Sequence, residues 1–438
     1  MKYISRIFAA TALVSLLAAS WAIALNVKSD EKKQADLMER ARGYMEDGVY
    51  ILAVPLLEEA AGYSAAYTKD AQEALKAAYL KLIDQRGYRR KYVELLERQL
   101  SAIDASPGVF LEAANYYLSS SKLAEALSVL AAGLERTGDA DILALYEQNR
   151  YKFSMGYEAY EEVSAIFEGT IGVKKNGLWG LASFDGKLLF GCGYEKLSTY
   201  SEDRAIAKKD GEIFAVDKNG NRLALLKDPV YDFGNYAEGR VALKTSELWR
   251  RASGEFELGN ASFEQIGTYS GGYAAAMREG LWGLVDLGEN WLIPALHDGI
   301  ATDELGRAYM QGAAFVEFGG GYCLFVGGEQ AGEDFYEDAR PFGEEGYAAV
   351  KKNGLWGYIN TAGELCIEYD FEDALSFGGH LAAVKIGELW GYINIYGDVA
   401  IEPLFLQAKS FSQGSAPVKT ERGWRFITLF EYKKTKGI

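Results

Sequence analysis

The chain has 438 residues, 49% of them hydrophobic and 13% aromatic, with a formal net charge of −16. That length and apolar share exclude a disordered chain and provide for two or three domains with packed cores. The acid excess excludes an ordinary nucleic-acid surface, which needs clustered Lys and Arg.

The N-terminus reads as a membrane signal. Lys2 and Arg6 precede an uncharged stretch, Ile7 to Leu25, made mostly of Ala, Leu, Ile and Val and long enough to cross the hydrocarbon core as a helix. Residues 1–27 are therefore taken as a signal anchor or signal peptide. Ala22-Ile23-Ala24 has the small-x-small form of a cleavage site, while Trp21 and the length of the apolar run favour retention. The expected location is the cell membrane, by a single pass, with the bulk of the chain outside the cytoplasm; cleavage would make the protein secreted.

From residue 33 to residue 151 the apolar spacing is helical. Leu37, Ala41 and Tyr44, a break at Gly48, then Tyr50, Ala53, Leu57 and Ala60 describe two short helices in a hairpin. The theme recurs around Ala78, Tyr79, Gly87-Tyr88, Tyr92 and Leu95, and again around Ala114, Tyr117, Ala126, Leu130 and Gly133, with Pro107 where a helix starts. Small residues at helix crossings and an aromatic near each turn make this region similar to tetratricopeptide repeats. The full signature of that family is absent.

Beyond residue 160 a β-repeat takes over. Its aromatic markers are Trp179, Phe214, Trp249, Trp282, Tyr322, Trp356, Trp390 and Trp424, 33 to 40 residues apart, which implies eight units stacked or closed in a ring. The clearest copy, Gly346 to Phe377, falls into four extended pieces. Tyr347 to Lys351 turns at Asn353-Gly354 into Leu355 to Ile359, since Asn-Gly suits a two-residue hairpin. Asn360-Thr-Ala-Gly363 forms the next turn, as Asp217-Lys-Asn-Gly220 and Asn394-Ile-Tyr-Gly397 do elsewhere.

On the piece from Leu355 to Ile359, Leu355, Gly357 and Ile359 share one face while Trp356 and Tyr358 share the other. Both faces are apolar, so the sheet must be covered on both sides, as in a propeller blade. Gly beside Trp is read as leaving room for a neighbouring blade's backbone or a bulky ring. The tryptophans are accordingly assigned to packing between blades and not to sugar stacking. The last copy stops without a fourth piece, and Tyr160 to Phe167 resembles Tyr336 to Phe342, so the two ends are expected to complete one blade and close the ring. The degenerate fifth copy, Gly320-Gly321-Tyr322 after a longer insertion, leaves seven blades as the alternative count.

Asn176-Gly-Leu-Trp-Gly180, Gly280-Leu-Trp-Gly283, Lys351-Lys-Asn-Gly-Leu-Trp-Gly357 and Glu388-Leu-Trp-Gly391 resemble the WG, or KWG, repeat family of bacterial proteins. The resemblance covers roughly residues 160 to 430 and implies a β-repeat module, often of surface or envelope proteins, with no shared catalytic residues. Its structural signature here is Trp179-Gly180, Trp282-Gly283, Trp356-Gly357, Trp390-Gly391 and Trp424. The expected fold is mainly β: a signal segment, a tetratricopeptide-like helical domain over 33–151, and a β-propeller of about eight blades over 160–438.

Catalytic motifs are missing. His297 and His380 lack a Ser or Cys partner at a recognisable spacing and read as loop residues. Cys192, Cys323 and Cys366 read as small buried hydrophobes on strands, with neither zinc nor disulfide spacing. Acid pairs such as Glu344-Glu345 and Glu337-Asp338 read as solvated strand ends. No cofactor or metal is expected. The chain reads as a non-catalytic, membrane-tethered scaffold for protein partners; the alternative is cell-wall glycan binding through Tyr273, Trp291 or Tyr347. An enzyme would need His297 or His380 set against a buried carboxylate in a pocket.

Overall fold

The structure, a computed structural model, describes residues 28–225 and 229–432. The apolar segment 7–25 lies outside these, and no helix among the described residues is long and apolar enough to cross a membrane. The chain divides into two compact units between Tyr146 and Glu147.

The first unit is helical. Residues 28–46 form α1, followed by α2 (Tyr50–Ala61), α3 (Thr68–Lys81), α4 (Tyr88–Leu100), α5 (Pro107–Ser119), α6 (Leu123–Thr137) and α7 (Ala140–Arg150), whose last residues pass into the second unit. The breaks fall where the sequence places them: Gly48 and Gly87 take positive φ, which glycine tolerates without a Cβ clash, and Pro107 opens α5. Ala53, Ala60, Ala71, Ala78, Ala113 and Ala126 are fully buried, so the helices approach closely along small residues. At Gly133 a Cβ would sit 2.8 Å from the Phe110 ring, so that aromatic is seated on bare backbone. Gln34, fully buried, ties α1 to its neighbours by donating to the Ala60 carbonyl at 2.9 Å and accepting from the Tyr67 N–H at 2.9 Å.

The second unit is an eight-bladed β-propeller, each blade a four-stranded antiparallel sheet. Blade 6 serves as the type: Asp338–Ala339, Tyr347–Lys352, Leu355–Asn360 and Leu365–Phe371, in that order across the sheet. In chain order blades 1 to 7 occupy 162–194, 196–225, 232–263, 265–297, 299–330, 338–371 and 373–405, and blade 8 occupies 407–429. The degenerate fifth copy is a full blade, although its fourth strand is only Glu329–Gln330.

The third strand is covered on both faces. Ile359 packs with Phe315, Leu324 and Phe342 toward blade 5, whereas Trp356 and Tyr358 pack with Ala382, Val384 and Ile393 of blade 7. Leu355, at the strand's first position, departs from the expectation and is 38% exposed. The signature glycine does something other than admit a neighbouring blade. A Cβ on Gly357 would lie 2.7 Å from the Ile367 carbonyl oxygen of the same blade's fourth strand, and one on Gly391 would lie 2.5 Å from Ile401 O. There the fourth strand bulges over the third: Trp356 pairs with Phe371 and Tyr358 with Ile367, so two extra residues arch across the glycine.

Blades 2, 3 and 8 carry another residue in that slot. Cross-strand pairing puts Ile213 in the tryptophan position of blade 2 and Phe214 in the glycine position, one residue off the sequence register; Phe214 pairs directly with Leu225 and Ala215 with Ala224, and the register shift falls between Ala215 and Val216. Blades 3 and 8 carry Arg250 and Arg425 in the same slot; the Arg250 guanidinium donates to Gly259 O in its own fourth strand and that of Arg425 to Gly156 O just past its fourth strand.

Closure differs in detail from the expectation. Phe153–Met155, upstream of the expected segment, is the fourth strand of blade 8, paired with Leu429, Thr428 and Ile427. Glu162–Val163 belongs instead to blade 1 as its first strand. Tyr160 is the link: it exchanges N–H···O bonds of 2.9 Å with Trp424, and its hydroxyl donates to Gly186 O at 3.0 Å, as Tyr194 does to Gly220 O between blades 1 and 2. The seam is thus built like an ordinary blade interface. The segment was misassigned because a three-residue strand carries no periodic signal of its own.

Gly357→Val is expected to lower unfolding stability by about 1–3 kcal/mol, since a fixed carbonyl must move, while Leu355→Ala two residues away changes it by less than about 0.5 kcal/mol. Urea denaturation of the two variants checks this.

Candidate functional site

The acids beside turns are mostly bonded, not merely solvated. At the hairpin between second and third strands, a carboxylate preceding the first strand accepts the turn's N–H: Glu161 from Asn176 and Gly177, Glu264 from Gly280, Glu337 from Gly354. At the turn between first and second strands, an acid reaches the next blade: Glu238 accepts from Gly271 and Gly272, and Glu345 accepts the His380 N–H. Between third and fourth strands, Asp217, Asp286, Asn360 and Asn394 accept from the two N–H groups ahead of them. Sequence reasoning saw only the last set.

The histidines do not form a catalytic pair. His380 is in a turn with φ 64°, its imidazole 68% exposed and its Nδ1 3.6 Å from the buried Glu345 carboxylate, beyond bonding range. His297 is not a loop residue: it ends the strand Trp291–His297, pairs with Trp282 and packs edge-on to Phe325, and burial holds its imidazole below the ordinary value. Of the cysteines, all on strands, Cys323 is buried, Cys192 half-buried and Cys366 exposed. No cluster of His, Cys, Asp or Glu suited to a metal occurs among the described residues.

The proposed sugar platforms are engaged in packing. Tyr273 meets the Tyr309 ring at 4.8 Å, Tyr347 meets Phe377 at 5.6 Å, and Trp291 lies between Phe263 at 6.0 Å and the Arg278 guanidinium at 5.2 Å. The signature indoles are half-buried at Trp179, Trp282 and Trp390 and buried at Trp356 and Trp424.

One part of the ring stands outside this pattern. The insertion that lengthens the fifth copy, residues 301–312, crosses the propeller axis. Leu305, 4% exposed, accepts through its carbonyl from Asn235 Nδ2 of blade 3 and Thr268 Oγ1 of blade 4. Glu304 pairs with Lys409 of blade 8 at 2.6 Å, and the Arg307 guanidinium lies 5.6 Å over Phe167 of blade 1. Asp303 braces the crossing by accepting from Leu305 N–H, Arg307 N–H and the Arg307 side chain. Against this crossing lies a cavity of about 700 Å³ lined by blades 1, 5, 6, 7 and 8, among them Phe167, Arg307, Arg340, Glu344, Ser376 and Gln413. This axial cavity is the candidate site. The sequence showed the insertion only as a longer interval.

The profile of the family described as "WG containing repeat" matches residues 336–356, 356–390 and 390–424. Residues 336–424 are WG repeats. Each match ends on a signature tryptophan, so a WG unit spans the third strand of one blade to the third strand of the next. No curated protein matches the chain. Among solved structures, the chain is similar to the Cps50 (Swd1) beta-propeller domain of Myceliophteria thermophila, at 10% identity and TM-score 0.32, covering 63% of this chain and 97% of that one. It is similar to the Neurospora crassa Pan2 WD40 domain, at 8% identity and TM-score 0.34, covering 64% and 92%, and to YCF48 bound to a D1 peptide, at 13% identity and TM-score 0.31, covering 65% and 97%.

Two carboxyls at the turn between third and fourth strands lie below the ordinary value: Asp217 through the Asn221 side-chain amide and N–H, and Asp286 through the Asn290 N–H and amide. A depressed folded value means their contribution is complete above the ordinary carboxylate range, ~3.9, and fades as pH falls through the folded values. The double variant Asp217→Asn, Asp286→Asn, which copies Asn360 and Asn394, is expected to lose less stability than the parent between about pH 5 and pH 3, measured by urea denaturation at each pH.

Proposed function

We propose that this chain is a non-catalytic interaction scaffold of the bacterial cell envelope, tethered in the membrane by residues 7–25, with the propeller and the tetratricopeptide-like helices outside the cytoplasm as rigid surfaces for protein partners. The observation that carries this reading is the employment of the ring's own polar and aromatic groups: indoles between sheets, carboxylates on turn N–H groups, histidines in packing and a turn. Those groups serve the frame. The WG repeats support a binding module, the axial cavity offers it a concave surface, and the apolar segment with Lys2 and Arg6 supports the tether. Protein partners are preferred over cell-wall glycan because Tyr273, Tyr347 and Trp291 each already face another ring.

Cross-linking of the tagged full-length chain in its native cells, followed by fractionation, tests this. The expected result is release from the membrane fraction by detergent only, a reproducible set of cross-linked proteins, and no retention on purified cell wall at moderate salt. Retention on cell wall with no cross-linked protein would overturn it.

A further inference from the structure

We infer that the axial cavity takes a basic peptide segment, a Lys or Arg side chain whose aliphatic stem lies on the cavity wall and whose cationic head meets the rim; this rests on the protein-interaction reading and names its partner's chemistry. The wall is apolar at Ile166, Phe167, Met310 and Leu375. Among the described residues, the two cations that line the cavity are matched: Arg307 is paired with Asp303 at 2.7 Å and Arg340 with Asp338 at 3.1 Å, while the lining Glu304 holds Lys409 from outside the cavity at 2.6 Å. Two rim carboxylates, Glu168 and Glu344, line the same cavity, are exposed, and have no ion pair among the described residues. The rim therefore holds negative charge in surplus over an apolar wall.

That combination selects the ligand. An anion would meet the two unmatched carboxylates, and a purely apolar group would leave them beside its buried surface without a partner. Long Lys and Arg side chains satisfy both parts, burying methylenes while the head stays at the charged rim. The cavity, about 700 Å³, exceeds one side chain and has room for the flanking peptide residues. Glu168 also differs from Glu238 and Glu345, which hold the same position before the turn glycine and accept N–H groups of the next blade.

Fluorescence anisotropy with the purified full-length chain in detergent tests the assignment, using a labelled Leu-Lys-Leu-Lys-Leu peptide, its glutamate counterpart, and spermidine as a free cation. The lysine peptide is expected to bind, weakening with salt, and the glutamate peptide not to bind. The double reversal Glu168→Lys, Glu344→Lys is expected to weaken the lysine peptide at least tenfold, while Glu421→Lys, on a hairpin away from the cavity, leaves it unchanged. Equal loss with Glu421→Lys, full displacement by spermidine at concentrations matching the peptide, or no binding of the lysine peptide would each overturn the inference. Urea denaturation of both variants shows that the fold is kept. Cellular cross-links that survive the double reversal would sink this inference and leave the scaffold reading standing; peptide binding without any cellular cross-link would do the reverse.

Discussion

The ring depends on one constraint: the third strand of a blade is packed on both faces and also lies beside its own fourth strand, most completely in blade 6. Tyr358 and Tyr392, fully buried, spend their hydroxyls on carbonyls within the next blade's first-strand turn, Leu375 O and Lys409 O, so each interface is apolar with one satisfied polar group. A sheet so enclosed cannot stand alone, and each blade's stability includes that of its neighbours. The Trp-Gly pair follows from this. The indole supplies area toward the next sheet, and the glycine lets the fourth strand arch over the third without a steric conflict. Where the slot holds Phe214 the next pairs are direct and the register shift moves to Ala215–Val216, and where it holds Arg250 or Arg425 the side chain bonds a nearby backbone carbonyl.

Much of this was legible in the sequence because it is local and repeated. Eight aromatic markers, the Asn-Gly hairpin, the Asn or Asp turn and the two apolar faces of the third strand each follow from spacing. What was not legible depends on chain segments far apart. Phe153–Met155 is recognisable as a strand only beside residues 427–429, and the glycine's true neighbour is a carbonyl ten residues on in a bulge with no sequence mark of its own. The register slip at Phe214 has the same origin: the aromatic marks the wrong residue there, and the cross-strand pairing of Lys208 with Ile213 sets the register.

The candidate site was the least legible part. Residues 301–312 show no motif, and their meaning comes from the distant groups they reach: Asn235, Thr268, Lys409 and Phe167. In this ring the repeated residues build the frame, while the residues that depart from the repeat close the axis and shape the cavity. Function on a propeller is then read from the departures, here an insertion and two carboxylates without a structural task.

Amide hydrogen exchange resolved along the chain tests the central claim most directly, because a closed ring of sheets buried on both faces makes its third strands open only together. Third-strand amides of all eight blades, including 423–429, should exchange slowly and at similar rates, with Phe153–Met155 protected alongside 427–429. Fast exchange at 153–155 and 423–429 beside protected blades 1 to 7 would contradict the closed ring.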